Sequence, residues 1–101
     1  MKPPRRFRVG PYSYRLEMRH GGDELGLTDL NMLTVNIRAE LAADLTRETV
    51  LHEVLHTITD MIGERMRLGS DREEEIIRSL SPALLMVLRD NPKLVAYLLS
   101  D

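Results

Sequence analysis

The chain has 101 residues, 14 Lys+Arg against 16 Asp+Glu, 43% hydrophobic residues and no cysteine. That length fits a single domain, residues 1–101, and apolar residues recurring at regular spacing argue against disorder. The lack of cysteine excludes a disulfide scaffold, thiolate metal ligands and a cysteine nucleophile.

The longest apolar run, Ala83 to Leu88, is far too short to cross a bilayer. No apolar stretch follows the basic start Met1-Lys2-Pro3-Pro4-Arg5-Arg6, so a secretory signal is not expected and the expected location is the cytoplasm. The formal charge of −2 hides an asymmetry. In residues 1–20, Lys2, Arg5, Arg6, Arg8, Arg15 and Arg19 stand against Glu17 alone, a balance of +5 that leaves −7 for the remainder. The first reading is a solvated strand edge and tail, since Lys and Arg on edges block strand addition. Contact with nucleic acid or an acidic partner is the alternative, and one short basic stretch does not favour it.

Residues 1–40 read mainly as strands and turns. Phe7-Arg8-Val9 and Tyr12 to Arg19 alternate, with Tyr12, Tyr14, Leu16 and Met18 on one face. Gly10-Pro11 punctuates the pair, and His20-Gly21-Gly22-Asp23 is a turn. Leu33 to Arg38 alternates again. These segments predict a small antiparallel sheet of about three strands.

Residues 44–100 read mainly as helices. Leu51, Val54, Leu55, Ile58, Met61 and Ile62 recur at spacings of three and four, with Asp44 or Thr46 as cap and Gly63 at the end. Ser70-Asp71-Arg72-Glu73 matches a capping box for a second helix buried through Ile76, Ile77, Leu80, Leu84, Val87 and Leu88. Pro82 predicts a kink or a fresh start capped by Ser81. Asp90-Asn91-Pro92 breaks the chain, and Lys93 to Leu99 forms a last short helix. The fold class is α+β: a small sheet packed on the first helix and a second.

His52-Glu53-Val54-Leu55-His56 lies in the middle of the first helix. Residues four apart share one helical face, so both imidazoles can reach one metal ion, and neutral imidazole suits Zn²⁺. The glutamate after the first histidine can take a proton from water activated at the metal, which also polarises a substrate carbonyl. Leu51 and Leu55 are expected to face the core beside the histidines. A catalytic zinc needs a third protein ligand. Position 62 is Ile, and His20 sits in a turn between strands. Carboxylates of the second helix remain. Glu73 and Glu74 project inward and Glu75 outward. Glu73 has the capping box to serve, which leaves Glu74 freer to bind metal, with Glu73 as rival and His20 or Asp60 next in line. Tyr12, Tyr14, Tyr97 and His20 are the side chains available to stabilise an oxyanion.

The strand Leu33–Arg38, the helix carrying HExxH, the segment Glu73-Glu74-Glu75-Ile76-Ile77 and the ending Leu84 to Pro92 resemble compact zinc metallopeptidases of the gluzincin type. The likeness is greatest to small single-domain forms related to the ImmA/IrrE-like group and often encoded by phages, and it covers residues 30–100. The resemblance implies a minimal zincin-like domain that hydrolyses peptide bonds. It implies His52, His56 and a glutamate of the second helix as zinc ligands, the glutamate falling on Glu74, and Glu53 as general base. It also implies that a strand before the HExxH helix, here Leu33–Arg38, is the edge along which an extended peptide lies. A peptide or protein substrate is the expected partner. The rival reading is a catalytically idle zincin-like module, such as a phage accessory protein that docks a partner through its basic strand end.

Overall fold

A computed structural model describes residues 1–63 and 72–100 of the chain. The side chains of Arg72, Glu73, Glu74 and Ile77 also lie outside the described residues. Four strands, β1 (Arg6–Val9), β2 (Tyr12–Arg19), β3 (Gly26–Asp29) and β4 (Thr34–Arg38), precede three helices, α1 (Ala43–Met61), α2 (Arg72–Asp90) and α3 (Pro92–Leu98). The result is an α+β fold with a four-stranded mixed sheet in the order β1-β2-β4-β3. Among the described residues no helix is long and apolar enough to cross a membrane.

β1 and β2 form the hairpin expected from their alternation, with Phe7 opposite Tyr14 and Val9 opposite Tyr12. The two-residue loop places Gly10 at φ +59°. Pro11 cannot take the second positive φ of a type I′ turn, so the turn is of the II′ kind, with glycine first. The rings of Phe7 and Tyr14 stack with centroids 5.4 Å apart.

The rest of the sheet departs from the antiparallel expectation. β4 runs parallel to β2, and β3 pairs with β4 antiparallel. The chain leaves β2, skips one strand position, descends as β3 and returns as β4 into the gap. Residues 20–25 span that gap of two strand spacings, about 10 Å. β4 is therefore interior, and the strand Leu33–Arg38 is not an edge. Among the described residues the free edge on this side belongs to β3, a segment for which the sequence predicts no strand.

The core lies on one face of the sheet. Phe7, Val9, Tyr14, Leu16, Val35 and Ile37 meet Val50, Val54 and Ile58 of α1, Ala83 and Val87 of α2, and Leu94 and Tyr97 of α3. α1 begins after Ala42, which makes no side-chain cap. Thr46 bonds back to the carbonyl of Ala42 at 3.0 Å, and Asp44 pairs with Arg47, so neither predicted cap serves as one. The helix ends with Ile62 as C-cap. Its buried face is Thr46, Thr49, Val50, Glu53, Val54, Thr57 and Ile58, rotated from the predicted apolar stripe. Leu51 is 41% exposed and Leu55 only partly buried, so Leu51 does not face the core. α2 runs through Pro82 without a fresh start at Ser81. The predicted capping box Ser70–Glu73 lies outside the described residues.

Asn91 joins the end of α2 to β1. Its Oδ1 accepts the Arg8 N–H at 2.8 Å, while its Nδ2 donates to the Arg8 carbonyl at 3.0 Å and the Val87 carbonyl at 2.7 Å. The side-chain amide thus pairs with the edge strand as another strand would. Asn91→Asp keeps the acceptor, loses both donors and sets a charge beside two carbonyls at a buried position. Urea denaturation is expected to show a loss of about 3 kcal/mol with an unchanged m-value, and Asn91→Ala a smaller loss.

Candidate metal centre

Helical spacing places His52 and His56 one turn apart on the exposed flank of α1 and Glu53 on its buried face. The imidazole rings lie edge to face, 76° between planes, with centroids 4.7 Å apart. Their Nε2 atoms are 3.1 Å apart. Glu53 Oε2 lies 4.0 Å from His52 Nε2. The ligand atoms of His52, Glu53 and His56 all fall within 4.8 Å of one another, so these three side chains form a group that could hold a metal ion.

Glu53 is only 6% exposed, and a buried carboxylate needs donors. Thr28 of β3 supplies one, its hydroxyl donating to Glu53 Oε1 at 2.8 Å. Two residues earlier on the same face, Gly26 makes room. A Cβ there would stand 2.9 Å from Glu53 Cγ and 3.0 Å from Thr49 Cγ2. β3 and α1 approach closely only because Gly26 lacks a side chain, and that approach brings the Thr28 hydroxyl within reach of the carboxylate.

The group stands midway along a trough between β3 and α1. On one side opens a cleft of about 710 Å³ lined by Gly26, Thr28, Leu30, His56, Thr59 and Asp60 among others. On the other, a cleft of about 330 Å³ is lined by Leu25, Leu45, Glu48 and Thr49. Gly26, His52 and Glu53 line both. Leu25 and Leu30 are each about two-fifths exposed and give the β3 side an apolar rim.

The other residues singled out from sequence are scattered. His20 Nδ1 lies 3.2 Å from Glu40 Oε1 and stands outside the metal-capable group. Backbone N–H groups and His20 hold the Glu40 carboxyl below its ordinary range. Asp60 follows His56 by one turn and lines the larger cleft, and it too stands outside the group. Asp60 also lines a smaller lobe with Tyr12, Tyr14, Leu30, Leu33 and Met61. Burial pushes the Tyr14 hydroxyl above its ordinary pKa, with smaller contributions from Asp60 and Tyr12. Tyr97 is buried in the core, and that burial raises its pKa as well. Glu74 and its rival Glu73, proposed as third ligand, have side chains outside the described residues. The functional residues missed from sequence are Gly26 and Thr28. Their only sequence signal is a small residue and a hydroxyl two apart, which side-chain alternation puts on one face.

Neither protein-family models, nor curated proteins, nor solved structures give a match to this chain.

A double-mutant cycle measures the support of Glu53 by β3. Thr28→Val removes the hydroxyl at constant shape and is expected to cost about 1–3 kcal/mol in the wild type and much less in a Glu53→Ala background. Equal costs in the two backgrounds mean that the 2.8 Å contact contributes nothing.

Proposed function

We propose that the chain is a zinc-dependent metallopeptidase of the compact gluzincin kind that its HExxH helix resembles. His52 and His56 are metal ligands, a glutamate of α2 is the third, Glu74 before Glu73, and Glu53 is the general base. The observation that carries this reading is the 3.1 Å separation of the two Nε2 atoms. Two Zn–N bonds of about 2.0–2.1 Å at a tetrahedral angle put the nitrogens about 3.3 Å apart. The helix thus presents both imidazoles to one point, with a carboxylate beside them.

Zinc, when bound, supplies a Lewis acid that makes water a nucleophile near neutral pH and polarises the scissile carbonyl. The chain's own groups do the rest. Thr28 ties down Oε1 of Glu53 and leaves Oε2 on the His52 side. There Oε2 takes a proton from the attacking water and hands it to the leaving amine nitrogen. An extended substrate fits a trough that runs to both sides of His52 and Glu53, with the free edge of β3 offering backbone groups for strand addition. This assigns to β3 the role that the family resemblance gave to Leu33–Arg38.

Three measurements test the reading. Protein purified without chelator or a histidine tag should carry one zinc per chain, and His52→Ala or His56→Ala should lose it. Glu53→Gln should keep the zinc and lose cleavage of an unfolded protein substrate. Zinc in both forms with cleavage in neither favours the idle-module reading. For the third ligand, zinc bound only to the native state raises stability by about 2.7 kcal/mol at one hundred times its dissociation constant. Glu74→Ala should abolish most of that zinc-dependent rise in Tm, whereas Glu75→Ala should keep it. Loss on Glu73→Ala instead moves the ligand by one residue.

A further inference from the structure

The helices cover one face of the sheet, and the other carries the basic residues of the N-terminal half. With Phe7, Val9, Tyr14 and Leu16 in the core, alternation turns Arg6, Arg8, Arg15 and Glu17 to the open face, and all four are exposed. Arg19 and Arg38 share that face by the same parity. Sequence alone made this a solvated strand edge. Register adds what the sequence could not show.

Arg6 stands directly opposite Arg15, and Arg19 directly opposite Arg38. The Leu16 N–H donates to the Arg5 carbonyl at 2.8 Å, which makes Arg5 and Leu16 a hydrogen-bonded pair. Arg6 and Arg15 are therefore a non-hydrogen-bonded pair, the kind whose Cα atoms approach to about 4.5 Å and whose side chains lie closest. Like charges at that position destabilise a sheet. Glu17 lies 3.7 Å from Arg15 and Glu40 4.0 Å from Arg38, while Arg6 and Arg8 have no carboxylate partner among the described residues. Beside the Arg6–Arg15 pair, a groove of about 870 Å³ is lined by Lys2, Arg5, Arg6 and Arg15 among others. A surface tuned only for solubility would intersperse the two signs. This one carries Arg6, Arg8, Arg15, Arg19 and Arg38 against Glu17 and Asp29, and sets Arg6 against Arg15 at the closest cross-strand spacing.

We propose that this face binds the phosphate backbone of nucleic acid without reading its sequence. Each guanidinium presents a planar fork that matches two phosphate oxygens. A duplex carries one negative charge per about 1.7 Å of axis, and neutralising phosphates releases counterions, a driving force that a sparsely charged acidic peptide lacks. The face has no aromatic side chain to stack on bases, since Tyr12 and Tyr14 have the parity of the core side. Contacts are therefore to phosphates alone. The site is separate from the trough between β3 and α1 and does not depend on metal.

The test is fluorescence anisotropy of a labelled duplex about two turns long, titrated with the full chain at salt from about 50 to 200 mM. If Arg6, Arg8, Arg15 and Arg19 each neutralise one phosphate, log affinity against log salt has a slope of about −3 to −4. Arg6→Ser/Arg15→Ser should weaken binding at low salt by about tenfold or more and bring the slope nearer zero by about 2, without lowering Tm, because a repulsive pair is removed. Arg8→Ser alone should change the slope by about 1, and His52→Ala should bind as wild type. Absence of binding at the lowest salt overturns the proposal, as does equal affinity and slope in the double variant. Displacement by polyglutamate at equal charge concentration also overturns it and assigns the face to an acidic protein.

Discussion

The arrangement turns on one buried carboxylate. Glu53 sits on the core side of α1 between Val50 and Val54, where an unpaired charge would be costly. The helix can carry it there because β3 supplies a hydroxyl at position 28 and no side chain at position 26. Once Glu53 is fixed against β3, helical geometry turns His52 and His56 to the flank beside it. The free edge of β3 and the exposed flank of α1 then become the two walls of one trough. The metal-capable group, the cleft on either side and the open strand edge are consequences of the same contact. β3 is only four residues long, and its place at the sheet edge is what brings it under the helix.

Much of this was legible in the sequence, and the failures have physical causes. The HExxH spacing fixed the relation of the two histidines, because four residues on a helix mean one turn whatever the surroundings. β1, β2 and β4 declared themselves by alternation. β3 did not, since Gly26-Leu27-Thr28-Asp29 contains two poor strand formers and is held by β4 rather than by its own propensity. Strand order was out of reach as well: alternation tells which face a side chain takes and says nothing about its neighbour. A chain that skips one position and fills it on return produces a parallel pair from short connections.

The buried face of α1 misled for a different reason. Three of its seven buried residues are threonines, and all three hydroxyls bond to helix carbonyls: Thr46 to Ala42, Thr49 to Leu45 and Thr57 to Val54. A threonine whose hydroxyl is satisfied in this way presents its methyl group to the core. An apolar stripe counted from Leu, Ile and Val alone therefore sits rotated, with Leu51 counted as core when it is exposed. The same rotation hid the burial of Glu53. The basic N-terminal half shows a parallel limit. Its charge was plain, but the direct opposition of Arg6 to Arg15 exists only in the hairpin register that the Gly10-Pro11 turn sets.

The proposed metal centre and the proposed anion-binding face lie on different parts of the fold, so each can be removed without touching the other. The centre is the more demanding claim, since it requires two imidazoles on one ion. Zinc K-edge absorption spectroscopy of the zinc-loaded chain tests it most directly. The prediction is two imidazoles at about 2.0–2.1 Å with oxygen completing a four-coordinate shell, and loss of the imidazole multiple scattering in a His52→Ala/His56→Ala variant. A shell of oxygen alone, or the same spectrum in the double variant, would contradict it.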